Sequence, residues 1–138
     1  KSMPASVILA AFEILYDICD AAGYSRDDLR VVAGIAEDTA FPLVNLNGDL
    51  VSFYGSNPSG HPLTVIINGL ANSLYLRYCY AKLSPEANCV NFKRDVAVMT
   101  YGDDNIMGVS DSAPWFNHTT LQSTLADIGI VYTMPEKE

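Results

Sequence analysis

Between residues 8 and 22, apolar side chains return every three or four positions, at Ile8, Ala11, Phe12, Leu15, Ile18, Cys19 and Ala22. That is the period of one helix face. Ser2 and Pro4 suit its start and Gly23 its stop. Ser25, followed by Asp27 and Asp28, opens a second helix running to about Ala36, with acids near its positive end. The pattern then changes. Phe41 to Leu46 and Leu50 to Tyr54 flank Asn47-Gly48-Asp49, a strong hairpin signal. A loop of small and rigid residues, Gly55 to Pro62, leads into a long helix from about Leu63 to Lys82. Its expected buried stripe is Leu63, Ile66, Ile67, Leu70, Leu74 and Tyr78.

Val96 to Tyr101 and Ile106 to Val109 read as two strands closed by Gly-Asp-Asp. A helix over Thr119 to Asp127 starts near Asn117 and stops at Gly129, and Ile130 to Thr133 reads as a last strand. The predicted architecture is α+β, a small antiparallel sheet with helices packed on one face.

Composition narrows the classes. At 138 residues the chain has the length of one domain, and a hydrophobic share of 49% argues against disorder. No apolar run reaches the roughly 18–20 residues of a membrane span, and no basic segment followed by an apolar run suggests a signal peptide. Cys19, Cys79 and Cys89 form no CxxC pair and read as reduced intracellular thiols. A net charge of −8 argues against this chain alone gripping a phosphate backbone. The abrupt ends, with helical pattern at Lys1-Ser2-Met3-Pro4 and Pro135-Glu136-Lys137-Glu138 directly after a strand, suggest an excerpt from something longer.

Two stretches carry candidate chemistry. The first is TYGDDN, residues 100–105. Gly-Asp and Asp-Asn are common turn formers, but two adjacent carboxylates also repel, and a divalent cation relieves them. Successive strand side chains point to opposite faces, so Asp103 and Asp104 share a direction only where the backbone turns. Gly102 makes that turn easy, aiming Asp103 at the site with Asp104 beside it. The second stretch is GSNPSGHPLTVIINGLANS, residues 55–73. Gly60 permits close backbone approach to a ligand. Thr64 and Asn68, at i and i+4, share a helix face with Leu63, Ile67 and Ala71. An amide in that apolar stripe must find a partner or lose about 1–3 kcal/mol. Taken singly, a turn and a helix cap explain both stretches as well as a site does.

In combination, PSG-HPL-T-xxx-N on a loop and long helix, YGDD in a following hairpin, and a helix–strand unit ending PEK resemble the palm of RNA-dependent RNA polymerases from positive-strand RNA viruses. The similarity is greatest to the picornavirus-like group. Residues 55–73 resemble motif B, 98–106 motif C and 121–137 motif D, while KSMPASVILAAFEIL is similar to the helix after motif A. The strings GSNPSGHPLT and YGDDN are similar to marine and algal members.

The resemblance implies a partial palm subdomain of a right-hand polymerase over 1–138, without motif A, fingers or thumb. It implies RNA-templated RNA synthesis by two-metal nucleotidyl transfer. Asp103 would bind both catalytic metals, with Asp104 more peripheral. The cofactor would be magnesium, with manganese as a substitute. Ser59 and Gly60 would form the mobile nucleotide-sensing loop. Asn68, with Thr64, would check the ribose 2′-hydroxyl. Lys137 would be the general acid for the pyrophosphate leaving group, although beside Glu136 and Glu138 it also reads as a solvated terminal lysine. RNA template and primer, ribonucleoside triphosphates and the rest of the polymerase chain would be the partners, in the host cytoplasm at viral replication complexes. The chain alone is expected to be inactive. Asn91-Phe92-Lys93-Arg94 resembles a primer-grip string but precedes motif C, and reads as a solvated loop.

Two alternatives stand beside this reading. One is a reverse transcriptase palm, against which YGDD and Asn68 both argue. The other is a non-catalytic α+β domain that binds metal or protein and uses Gly-Asp-Asp only as a turn.

Overall fold

A computed structural model of the chain describes residues 3–57 and 59–133. It divides into two compact units, Lys1–Ala71 and Asn72–Glu138.

In the first unit, α1 (Ala5–Ala21) buries Ile8, Ala11 and Phe12. The second helix, α2 (Arg26–Ala40), begins in a capping box. The Asp28 backbone N–H donates to Ser25 Oγ at 3.1 Å, and the Ser25 N–H donates back to the Asp28 carboxylate at 3.2 Å. This helix runs one turn past the expected end. Ala36 and Ala40 lie on one face and both enter the core with Ile8, Ala11, Phe12 and Ile67, so packing carries the helix onward. Strands β1 (Leu43–Leu46) and β2 (Asp49–Ser52) form an antiparallel hairpin, shorter than the apolar pattern suggested. Phe41 is taken up in capping α2. Asn47 and Gly48 both have positive φ, 53° and 99°, as a type I′ turn demands, and Asn45 Oδ1 accepts from the Gly48 N–H at 2.8 Å.

The long helix α3 (Thr64–Leu83) supplies residues to both units. Its buried positions differ from the expected single stripe. Ile66 and Tyr78 are exposed, whereas Ile67 and Ala71 are buried in one unit and Leu76, Cys79 and Tyr80 in the other. A stripe drawn for one core missed that the helix serves two.

In the second unit, α4 (Phe92–Asp95) leads directly into β3 (Val96–Tyr101), which pairs antiparallel with β4 (Asp104–Val109), followed by α5 (His118–Ala126). The core gathers Leu76, Cys79, Tyr80, Phe92, Val96, Phe116, Leu121 and Leu125, with Val98 and Met107 packed against it. The other side of the ladder, with Met99, Tyr101 and Ile106, is exposed. Helices therefore cover one face of this hairpin. Tyr80 lies at the centre, its ring 5.4 Å from Phe92, 4.9 Å from Trp115 and 5.6 Å from Phe116.

The α+β class is as the sequence predicts, with its strands in two separate hairpins. Two local expectations fail. Asn91 to Arg94 is not a solvated loop, because Phe92 is buried and the segment is helical. Residues 130–133 form no strand. The Ile130 N–H bonds back to the Leu125 carbonyl at 2.9 Å, and Tyr132 spends its carbonyl and hydroxyl on the side chains of Gln122 and Asn105. Among the described residues, no helix is long and apolar enough to cross a membrane.

Candidate active site

The Gly-Asp-Asp stretch is a tight hairpin turn. Tyr101 pairs with Asp104, leaving Gly102 and Asp103 as the two turn residues. Gly102 has φ +59° while Asp103 keeps a negative φ, the pattern of a type II′ turn, which places glycine first. Along both strands burial alternates with the pleat. Asn105 and Met107 are half-buried, while Tyr101, Asp104 and Ile106 lie on the open side. Asp103 thus occupies the apex and Asp104 begins the exposed row beside it. Both are exposed, and among the described residues neither forms an ion pair.

The turn is held from behind by amides. Asn72, on α3, donates from Nδ2 to the backbone carbonyls of Asp103 at 3.0 Å and Asp104 at 3.1 Å. Asn105 donates to Asn72 Oδ1 at 3.0 Å, and the Tyr132 hydroxyl donates to Asn105 Oδ1 at 3.0 Å. The sequence reading did not single out these three residues. The available signal was a second asparagine one helical turn beyond Asn68 inside a predicted helix.

The first unit arranges the other candidates. Gly55 anchors the loop: its N–H donates to the Ala40 carbonyl at 2.7 Å, and the Ser56 N–H donates to the Met3 carbonyl at 2.7 Å. A Cβ on Gly55 would meet the Met3 carbonyl oxygen at 2.1 Å, so no other residue fits there. Ser59 and Gly60 lie exposed in a turn. The Thr64 N–H donates to the His61 carbonyl at 2.9 Å as α3 begins. Asn57 Nδ2 donates to Asn68 Oδ1 at 3.0 Å and to the Thr64 carbonyl at 3.4 Å. The Thr64 carbonyl can only accept, which fixes the Asn57 amide with its nitrogen inward. Asn68 Oδ1 is thereby occupied as an acceptor, and its Nδ2 has no partner among the described residues. Asn57 Oδ1 is buried and unpartnered among the same residues. Asn57, Thr64 and Asn68 therefore meet in one unit and Asp103 and Asp104 in the other. Lys137 lies outside the described residues.

Among the described residues, no group of three or more His, Cys, Asp or Glu is arranged to hold a metal ion. The adjacent, exposed carboxylates of Asp103 and Asp104, neither ion-paired among the described residues, do suit magnesium, which takes one or two protein carboxylates and fills its other positions with water and phosphate. Asp95 does not suit it. That buried carboxylate accepts from Tyr80 Oη at 2.5 Å, Arg94 Nε at 2.8 Å and Nη2 at 3.1 Å, and Ser112 Oγ at 3.3 Å. The Arg94 fork, then the Tyr80 hydroxyl, hold its pKa down at about 2.

The class defined by this hairpin, loop and long helix is matched by comparison with known proteins. The family model for viral RNA-dependent RNA polymerases matches residues 1–138, and the chain belongs to that family. It is 40% identical over 114 residues to the replicase polyprotein of Cricket paralysis virus, covering 78% of this chain and 6% of that protein. It is 42% identical over 71 residues to the RNA1 polyprotein of Beet ringspot virus, covering 51% of this chain and 3% of that one. To the RNA1 polyprotein of Red clover mottle virus it is 42% identical over 82 residues, covering 55% of this chain and 4% of the relative. The chain thus spans a small fraction of the length of these relatives.

Proposed function

We propose that this chain is the part of a polymerase palm that carries its metal-binding turn, its nucleotide-sensing loop and its sugar-reading helix face, and that the complete enzyme copies RNA from an RNA template. The observation that carries the reading is the Gly102–Asp103 turn, which sets two carboxylates, neither ion-paired among the described residues, at the exposed tip of a hairpin. Asp103 and Asp104 hold magnesium, or manganese in its place, with Asp103 the principal ligand. The bound ion supplies Lewis-acid activation of a primer 3′-hydroxyl and neutralises phosphate charge.

Asn68 presents its amide nitrogen to the ribose 2′-hydroxyl, with Thr64 on the same helix face. Ser59 and Gly60 form the part of the loop that senses the incoming nucleotide. Lys137 gives a proton to the departing pyrophosphate. The partners are RNA template and primer, ribonucleoside triphosphates and the remainder of the polymerase chain, with its fingers, thumb and motif A. The place of action is the host cytoplasm, at viral replication complexes.

Primer extension by the complete polymerase on matched RNA and DNA templates, with ribo- and deoxyribonucleotides, tests the reading. Ribonucleotide incorporation on the RNA template is the expected result. A preference for deoxyribonucleotides would instead support a reverse transcriptase.

A further inference from the structure

The amides behind the catalytic turn form a chain whose direction is fixed at one end. The backbone carbonyls of Asp103 and Asp104 can only accept, so Asn72 must present its NH₂ to them. Its oxygen then faces Asn105, which must present NH₂ in turn. The Asn105 oxygen is left needing a donor, and the Tyr132 hydroxyl is one, at 3.0 Å. Reversing either amide would set oxygen against oxygen or NH₂ against NH₂. The three side chains come from a helix, a strand and the segment after α5. Tyr132 is itself held, its carbonyl accepting from Gln122 Nε2 at 3.3 Å and its ring 5.0 Å from that of His118.

We propose that Tyr132, Asn105 and Asn72 are a directed hydrogen-bond relay that positions the Asp103 turn for catalysis. The proposal rests on the reading of Asp103 as the metal-binding carboxylate. The relay touches only backbone oxygens of the turn, so its members are positioning residues. It fixes where the carboxylates stand and leaves their charge and chemistry alone. Weakening it loosens the placement of the bound metal, an effect on turnover and on metal demand more than on nucleotide affinity.

The test uses the complete polymerase, with Asn72→Leu, which keeps the branching of the side chain and removes every hydrogen bond, and Tyr132→Phe, which removes one hydroxyl. Asn72→Leu is expected to lower kcat roughly tenfold or more and raise the half-saturating magnesium concentration, with the nucleotide KM within about twofold. Tyr132→Phe moves both quantities in the same direction by roughly two- to threefold. Along a single relay the double variant is no worse than Asn72→Leu alone. If Asn72→Leu does not fold, as judged by circular dichroism, Tyr132→Phe carries the same comparison of kcat, KM and magnesium demand. Independent, additive losses would overturn the relay, and so would unchanged kcat and magnesium demand in folded variants. Asp103→Ala, measured alongside, separates the two levels. Full activity in that variant would remove the underlying reading, whereas a dead Asp103→Ala with wild-type relay variants would remove only the relay.

Discussion

Asn57 donates its side-chain amide to the side-chain oxygen of Asn68 at 3.0 Å, so Asn68 faces its free side with a donor. If that donor reads the ribose, Asn68→Ala or Asn68→Val in the complete polymerase lowers the preference for ribo- over deoxyribonucleotides. Loss of one hydrogen bond of about 1–3 kcal/mol corresponds to roughly one to two decades in the ratio of kcat/KM values. Asn57→Leu leaves Asn68 free to rotate and lowers the same ratio by a smaller factor. An unchanged ratio in folded Asn68 variants would return this amide to a purely structural role.

The buried Asp95 gives the second unit an acid-sensitive anchor. Its pKa is depressed from 3.8 to about 2, so its stabilising contribution is complete above about pH 4 and is lost as pH falls toward 2. Tyr80, raised to about 12 by burial and by the Asp95 hydrogen bond, behaves in the opposite sense. Its contribution is complete below about pH 10 and is lost as pH rises toward 12. Trp115, the sole tryptophan, lies 4.9 Å from the Tyr80 ring and reports on both. Acid titration of the 138-residue chain followed by its fluorescence should show a transition in that lower window. Asp95→Asn should be less stable at neutral pH and lack that acid-dependent component.

Gly55 and Gly34 should respond oppositely to alanine. At Gly55 the new Cβ would collide with the Met3 carbonyl at a backbone φ of +82°, a loss of about 2–4 kcal/mol in stability. Gly34 lies inside α2 with nothing within 4 Å of its Cβ position, and alanine there should add about 0.5–1 kcal/mol. Denaturant midpoints of the two variants against the parent chain check both signs.

Local chemistry made much of this fold legible. The Ser25 and Asn117 caps, the Asn47-Gly48 turn and the alternating strands of the Asp103 hairpin all follow from short-range rules that one window of sequence contains. What the sequence reading missed depends on distant partners. Asp95 looks like one more surface acid until Tyr80, fifteen positions earlier, meets it. Asn72 and Asn105 are thirty-three positions apart, and nothing in either neighbourhood signals the pair. Tyr132 sits in an apolar run that reads as a strand, yet its polar groups are claimed by side chains. Asp103 and Asp104 are legible as a carboxylate pair, with Asp103 the one that the Gly102 turn aims outward, and the register adds that Asp103 sits in the turn while Asp104 begins the strand.

The 138-residue chain by itself should incorporate no nucleotide and bind magnesium weakly, at roughly millimolar concentration, because one or two carboxylates without substrate phosphates complete only part of the ion's shell. Its net charge of −8 adds no affinity for RNA. Calorimetry with magnesium and primer extension on the isolated chain check this, and templated extension by the chain alone would contradict it.

In the proposed function Asp103, at the apex of the type II′ turn, carries the chemistry, with Asp104 in the lesser role. Single-nucleotide incorporation by the complete polymerase, with magnesium and then manganese, measures it most directly in Asp103→Ala and Asp104→Asn. No detectable incorporation by Asp103→Ala is expected with either metal, and Asp104→Asn should retain residual incorporation that is greatest with manganese. Near-normal incorporation by a folded Asp103→Ala enzyme would contradict it.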